Sequence, residues 1–319
     1  MATSVDPVGN GQTETKIAEN KPTPGAKNVS DGVDPVGNAH PEDVSPKTKS
    51  APATKNVSDG VDIKELLQAG AHFGHKTSRW HPKMAQYIHS KRDGTHIIDL
   101  TKTVEQLEKA LEYVTEVASE GKQILVVGTK RQAQSIIKEL ALKTDMPYVT
   151  ERWLGGMLTN RNTIGGRIKH LKDLEEKMEN GTLAAKYSKL EVQRFQEEID
   201  AMNHIYGGIK NLAAKTGAVF VTDVTHDINA VREAKKLGVK VIAIVDTNAD
   251  PTLIDFPIPA NDDAIKTLQL IADYMQAAIE IGKAKHSKKV EATTAKIEKA
   301  ETLKTEEPKE VIKAVRGNG

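Results

Sequence analysis

The sequence predicts an α/β fold, a mainly parallel sheet with helices on both faces that carries an inserted antiparallel helical hairpin. Three observations lead there. Short continuous apolar runs at residues 124–127, 218–221 and 239–245 have the length and the Val and Ile content of strands buried on both faces. Longer segments with apolar residues at helical spacing lie between them, so strand and helix alternate as they do where crossovers join parallel strands. One stretch, after Tyr148-Val149 and before Ala218, breaks the alternation with two helical patterns in succession.

The elements follow in order. Asp62 and Glu65 suit a capping box at the head of a short helix that Gly70 closes. Residues 84–88 and 96–98 read as strands on either side of Asp93-Gly94, a hairpin dipeptide. Val104, Leu107, Leu111 and Val114 mark one face of a helix, residues 124–127 a buried strand, Ala133, Ile136, Ile137 and Leu140 the next helix, and Tyr148-Val149 the next strand. After the interruption come strand 218–221, helix 228–237 closed by Gly238, strand 239–245 and helix 263–281. Within the interruption, Ile164, Ile168, Leu171, Leu174 and Met178 recur at steps of four and three. Beyond Asn180-Gly181 a second series, Leu190, Phe195, Ile199 and Met202, starts from a capping box at Ser188 and Glu191. These predict two antiparallel helices over residues 162–206, with Gly165-Gly166 and Gly207-Gly208 where the hairpin leaves and rejoins the sheet.

The folded region is expected over residues 61–285. Before it, VDPVGN at residues 5–10 returns at 33–38 and KNVSDGVD at 27–34 returns at 55–62, a tandem duplication with an offset of 28 residues. Each unit is rich in Pro, Gly, Asn and Asp and offers too little apolar surface to offset its ordering entropy, so residues 1–60 are expected to be disordered. Residues 286–319 alternate Lys and Glu and are expected to form a charged, disordered tail. The chain has 319 residues, 38% of them hydrophobic, which suffices for a core. It has no cysteine, which excludes disulfides, thiolate metal sites and a cysteine nucleophile. Its first residues have neither a basic head nor an apolar stretch, and no run reaches membrane-spanning length, so the reading is cytoplasmic with no membrane contact.

Net charge is only +1, but the local distribution is uneven. Residues 66–92 contain Lys76, Arg79, Lys83, Lys91 and Arg92 without an acid, and residues 152–172 contain Arg152, Arg161, Arg167, Lys169 and Lys172 without an acid. Acids gather instead at residues 173–200 and at Asp246, Asp250, Asp255, Asp262 and Asp263. Such segregation suits a protein that faces a polyanion. Both basic stretches hold a loop that mixes cations, aromatic rings and glycine. Arg152-Trp153-Leu154-Gly155-Gly156-Met157-Leu158-Thr159-Asn160 lets backbone approach a phosphate at its glycines, while Arg152 and Arg161 supply fixed charge. Trp80 and Trp153 serve either as anchors that hold their loops on the domain, the preferred reading, or as groups that stack on bases.

The sequences HFGHKTSRWHPKM (residues 72–84), RWLGGMLTN (152–160), DTNADP (246–251) and IPANDDAI (258–265) stand here in the order and spacing found in bacterial ribosomal protein S-two. The chain resembles that small-subunit family over about residues 61–285, departing from it at His81, where Asn is common, and at Arg161, where an aromatic is common. The resemblance implies a flavodoxin-like α/β domain with a projecting helical coiled coil. It also implies no catalysis, and a place between the head and body of the small subunit against ribosomal RNA and other ribosomal proteins, including the subunit's large first protein. The RNA-binding residues expected from loops and charge are Lys76, Arg79, Trp80, Lys83, Lys91, Arg92, Lys130, Arg131, Arg152, Trp153, Asn160, Arg161, Arg167 and Lys169. The competing reading is a nucleotide- or metal-dependent α/β enzyme with the hairpin as lid. Gly128-Thr129-Lys130 lacks the rest of a phosphate-loop pattern, and His72, His75, His81 and His89 have no carboxylate within their stretch, so neither a cofactor nor a metal is expected.

Overall fold

The computed structural model describes residues 60–213 and 215–305, with side chains as far as residue 290. The duplicated extension and the last part of the charged tail lie outside the described residues. Helix α1 (Ile63–Ala69) opens the described chain. Asp62 accepts from the Lys64 amide at 2.8 Å, and Gly70 takes the left-handed conformation that stops the helix. Three short strands follow, β1 (Phe73–Lys76), β2 (Ile88–Arg92) and β3 (Thr95–Ile98), pairing antiparallel in the order β1-β3-β2. Asp93 and Gly94 have φ of 49° and 74°, the two positive angles that the hairpin turn between β2 and β3 demands.

The central sheet has the order β5-β4-β6-β7-β8, from β4 (Gln123–Val127), β5 (Tyr148–Val149), β6 (Thr216–Val221), β7 (Lys240–Val245) and β8 (Phe256–Pro259), and every pairing is parallel. The chain enters at β4, moves outward to β5 and returns to the other side at β6. This is the strand order of flavodoxin-like domains, with its switch point between β4 and β6. Alternate residues of each strand join opposite cores. Ile124, Val126, Ala218, Phe220, Ile242 and Ile244 pack against α2 (Leu100–Ser119), α3 (Arg131–Thr144) and α8 (Ile265–Thr305). Leu125, Val127, Val219, Val221, Val241, Ala243 and Val245 face the other way. There they meet α7 (Ile228–Lys236) through Ala230, Val231 and Ala234, together with Met84 and with Trp153, Met157 and Leu158 of the second motif loop.

Between β5 and β6 stand α4 (Arg161–Glu179), the short α5 (Thr182–Lys186) and α6 (Lys189–Tyr206). Leu171, Leu174 and Ile199 form a small cluster with Met178, Phe195, Met202 and Tyr206, and Tyr206 also packs against the core that contains Trp153. Ile164 and Ile168, at the root of α4, turn instead into the core that contains Trp153. Ser188 and Glu191 make the capping box at the head of α6, with the Ser188 amide donating to Glu191 at 2.9 Å.

Several expectations require correction. Residues 84–88 are not a strand: Pro82–Tyr87 is a 3₁₀ helix with Pro82 in its first turn and His81 Nδ1 accepting from the Lys83 amide, and β2 begins only at Ile88. A short apolar run does not by itself distinguish the two. Strand β8 escaped notice because Pro257 and Pro259 argue against a strand, yet it lies at the sheet edge, where a missing donor is tolerated. Helix α8 continues past residue 285 to Thr305, and His286 Nδ1 lies 3.0 Å from the Ser119 carbonyl of α2. No Gly or Pro interrupts residues 283–305. Finally, Gly165 and Gly166 are interior residues of α4, which begins at Arg161, and do not mark the point where the chain leaves the sheet.

The glycine pairs therefore predict opposite responses. A Cβ on Gly208 would fall 2.7 Å from the Tyr148 ring and closer still to its carbonyl oxygen, whereas one on Gly165 would meet open space. Gly208→Ala is expected to lower stability by about 1–3 kcal/mol. Gly165→Ala is expected to raise it by about 0.5–1 kcal/mol. Chemical denaturation of the two variants checks both signs.

Candidate nucleic-acid interface

The small antiparallel sheet carries the first group of cations. Lys76, Arg79, Lys91 and Arg92 are all exposed on it or beside it. Trp80, 37% exposed, lies with its ring 5.1 Å from that of His96, and Lys91 Nζ sits 5.7 Å from the indole centre. His96 is fully buried, and burial, reinforced by Lys91, lowers its pKa, so it packs as a neutral ring. Buried Thr247 helps to fix the sheet to the main domain. The His75 amide donates to Thr247 Oγ1 at 2.9 Å and the His81 amide to the Thr247 carbonyl at 2.7 Å. Gly74 lies so close to Thr247 that a Cβ there would meet its methyl group at 2.6 Å, which explains the small residue between Phe73 and His75.

The second loop is braced from beneath by a residue far away in sequence. Glu233 of α7 accepts from Trp153 Nε1 at 3.1 Å, the Gly156 amide at 2.7 Å, the Leu158 amide at 3.0 Å, and the Thr159 amide and hydroxyl at 3.2 Å each. Partial burial works against the Glu233 charge, but the donors of Gly156, Trp153, Leu158 and Thr159 outweigh it and hold the carboxyl below its usual range. Leaving partly buried amides unsatisfied would cost about 1–3 kcal/mol for each group. The amides of Gly156, Leu158 and Thr159 are therefore engaged within the domain, so of the two glycines Gly156 does not offer its amide outward. Trp153, 8% exposed, is an anchor under the loop. Arg152 and Asn160 remain exposed at its two ends. Because Met84 of the first motif shares a core with Trp153, Met157 and Leu158, both motif loops lie on the same face of the sheet.

The strand-end crevice at the switch point is a different environment. Lys130, half-buried after β4, reaches Asp223 at 3.2 Å, Asp262 at 2.9 Å and Asp263 at 2.7 Å. Burial opposes its charge, but the bonds to Asp263 and Asp262 prevail and its pKa rises. Lys130 thus belongs to an acidic cage, which corrects its expected place among the RNA-facing cations. A crevice with more carboxylates than cations repels a phosphate, and this disfavours the nucleotide reading of Gly128-Thr129-Lys130. His75, Asp246 and Asp262 also meet here, with one potential ligand atom from each within 4.8 Å of the others. His75 Nδ1 is 3.0 Å from Asp246 Oδ2, yet that buried oxygen has no hydrogen-bond partner of good geometry. An imidazole with two carboxylates could hold a divalent cation of the zinc or manganese type. The histidines named from sequence did not suggest this set, because its carboxylates lie more than 170 residues away.

The remaining expected residues divide cleanly. Arg131, Arg167 and Lys169 are exposed on α3 and α4. Lys83 is exposed but bonded to Asp250 and Thr252, both at 3.0 Å. Arg161 is tied to the Ala213 carbonyl at 2.6 Å and Thr216 Oγ1 at 3.2 Å, which braces the start of α4 against β6. Charge separated in sequence is thus rejoined in space: Asp250 meets Lys83, Asp255 meets Lys240 at 3.0 Å, and Asp246 meets His75. Glu233 and Thr247 were the functional supports that sequence reasoning missed, since nothing local distinguishes a buttressing Glu or Thr from an ordinary one.

This combination of an acidic strand-end crevice and two braced, cation-bearing loops on one face of the sheet defines an α/β binding protein with a surface suited to a polyanion. Residues 66–282 match the family described as ribosomal protein S2. The chain is 47% identical over 233 residues to the small ribosomal subunit protein uS2 of Dehalococcoides mccartyi, covering 73% of this chain and 95% of that protein. It is also 47% identical over 221 residues to the uS2 protein of Coprothermobacter proteolyticus, covering 69% and 82%. The chain belongs to the ribosomal protein S2 family.

The crevice predicts a pH-dependent response to divalent cations. Burial, together with Asp223 and Asp246, raises the Asp262 pKa to about 7, while contact with Asp246 raises that of His75 above 6.5. Both groups must lose a proton to act as ligands, so binding strengthens as pH rises. Zinc or manganese should raise the thermal midpoint more at pH 8 than at pH 6, and Asp246→Asn should abolish the rise. An equal rise in the variant would exclude these three ligands.

Proposed function

We infer that this chain is a structural constituent of the small ribosomal subunit, where it binds small-subunit RNA and neighbouring ribosomal proteins in support of translation. Its working location is the cytoplasmic ribosome, and no helix among the described residues is long and apolar enough to cross a membrane. The observation that carries the RNA contact is the exposed cation group Lys76, Arg79, Lys91 and Arg92, whose nearest acid is Asp93 at 3.7 Å from Arg92, on a sheet that Thr247 helps to hold on the domain. Trp80 adds an aromatic surface beside Lys91. Arg152, Asn160, Arg167 and Lys169 extend the contact from the second loop into α4, and Arg131 adds a further exposed cation. Lys83, Lys130, Trp153 and Arg161 support the surface from within, through the internal contacts described above.

Helices α4 and α6 form an antiparallel, coiled-coil-like projection that reaches a second RNA or protein surface. The apolar cluster of Leu171, Leu174 and Ile199 between the two helices supports this reading. Burial of each of these side chains contributes about 1.5–3 kcal/mol, enough to stiffen a two-helix arm. Other ribosomal proteins, the large first protein of the subunit among them, are expected neighbours. The role is assembly and support, with no bond-making step assigned.

Binding to small-subunit particles depleted of this protein tests the reading. Each cation that neutralises a phosphate contributes roughly 0.7 to 0.9 to the slope of log affinity against log salt. Arg79→Ala with Arg92→Ala should weaken binding and reduce that slope by roughly 1.4 to 1.8. Lys130→Ala should leave the slope unchanged if the protein stays folded. An unchanged slope in the Arg79, Arg92 variant would remove RNA from the small sheet.

A further inference from the structure

We propose that Glu233 is the positioning residue for the RNA-facing loop, with one carboxylate holding residues 153–159 in the shape that aims Arg152 and Asn160 outward. The inference rests on the RNA-binding reading above and deepens it. Its basis is geometric. The loop has few bonds of its own, Met157 N to the Leu154 carbonyl at 3.1 Å and Asn160 N to the Gly156 carbonyl at 2.7 Å. All the other loop donors named above converge on Glu233, with Oε1 serving Trp153 and Gly156 and Oε2 serving Leu158 and Thr159. Gly156 turns with φ of 89°, a conformation that L side chains rarely adopt. The loop therefore wraps an internal anion, much as successive amides elsewhere wrap a bound one.

Helix α7 gives the carboxylate a rigid base. Ala230, Val231 and Ala234, on the turns around Glu233, are buried against the sheet. The loop in turn leads directly into α4 at Arg161, so its shape also sets where the helical arm begins. The loop at the head of the acid-free run 152–172 receives the Glu233 carboxylate from more than 70 positions away, and that charge is engaged by its amides rather than turned toward RNA. A loop ordered before binding spares the complex the entropy of ordering it afterwards.

The experiment compares full-length variants by amide hydrogen exchange and by binding to small-subunit particles depleted of this protein. Glu233→Gln offers one acceptor oxygen and brings an NH₂ group against the remaining donors. It should lose protection at Gly156, Leu158 and Thr159 and bind about tenfold more weakly, equivalent to about 1.4 kcal/mol. The salt slope should not change, because Glu233 touches no phosphate. Arg152→Ala should lower both affinity and slope. In Glu233→Ala, sodium formate should restore loop protection and binding where sodium chloride at equal ionic strength does not, a rescue that general destabilisation would not give. Gly156→Ala reshapes the loop with Glu233 intact and should reproduce the affinity loss at unchanged slope.

Normal binding by Glu233→Gln while Arg152→Ala binds poorly would overturn the positioning role and leave the RNA reading standing. Normal affinity and slope in Arg152→Ala would remove RNA from this loop, and the inference with it. A changed slope in Glu233→Gln, or equal rescue by both salts, would also overturn it.

Discussion

A parallel sheet buried on both faces must be covered on both, and in this protein the cover is unequal. One face receives α2, α3 and α8. The other receives α7 and then relies on Met84 from a short 3₁₀ helix and on Trp153, Met157 and Leu158 from a loop. Those segments must place large apolar side chains inward while their backbone polar groups find partners without an α-helix or ladder to provide them. The two motif loops are this irregular cover. Their aromatic and methionine residues close the core, and their cations are left outside.

The same constraint explains why the loops are held by side chains. Glu233 and Thr247 supply to irregular backbone what neighbouring turns supply in a helix, namely acceptors and donors at fixed positions. Both supports arise from elements already fixed by the sheet, α7 for the first and the end of β7 for the second. A surface that must meet RNA with many modest contacts gains from such rigidity, because each contact then forms without further ordering. Cations on a braced surface can also be matched to phosphates in number and position.

The crevice at the switch point, where related folds bind ligands, has taken another course. Lys130 sits among Asp223, Asp262 and Asp263, and His75 reaches Asp246 from the small sheet. These contacts tie the carboxyl ends of four strands to one another and to the first motif. The acids that follow the strands therefore neutralise cations within the domain, and the acidic stretch at residues 245–263 lies against a basic loop instead of apart from it.

The sequence by itself determined the regular elements. Periodicity located α2, α3, α7 and the three long strands, Asp93-Gly94 located the hairpin, and four motifs located the family, because each of these signals is local. It could not determine that Lys130 and Arg161 point inward, that the amides of Gly156 and Leu158 are already occupied, or that Pro257 and Pro259 belong to an edge strand. The first two depend on partners remote in sequence, Asp262 for Lys130, Thr216 for Arg161 and Glu233 for the loop amides, and the last on a place at the sheet edge beside β7. A cation has the same composition whether it faces solvent or a buried carboxylate. Only the fold, by bringing residues more than 50 positions apart within hydrogen-bond distance, decides which of the basic residues remain free to meet a polyanion.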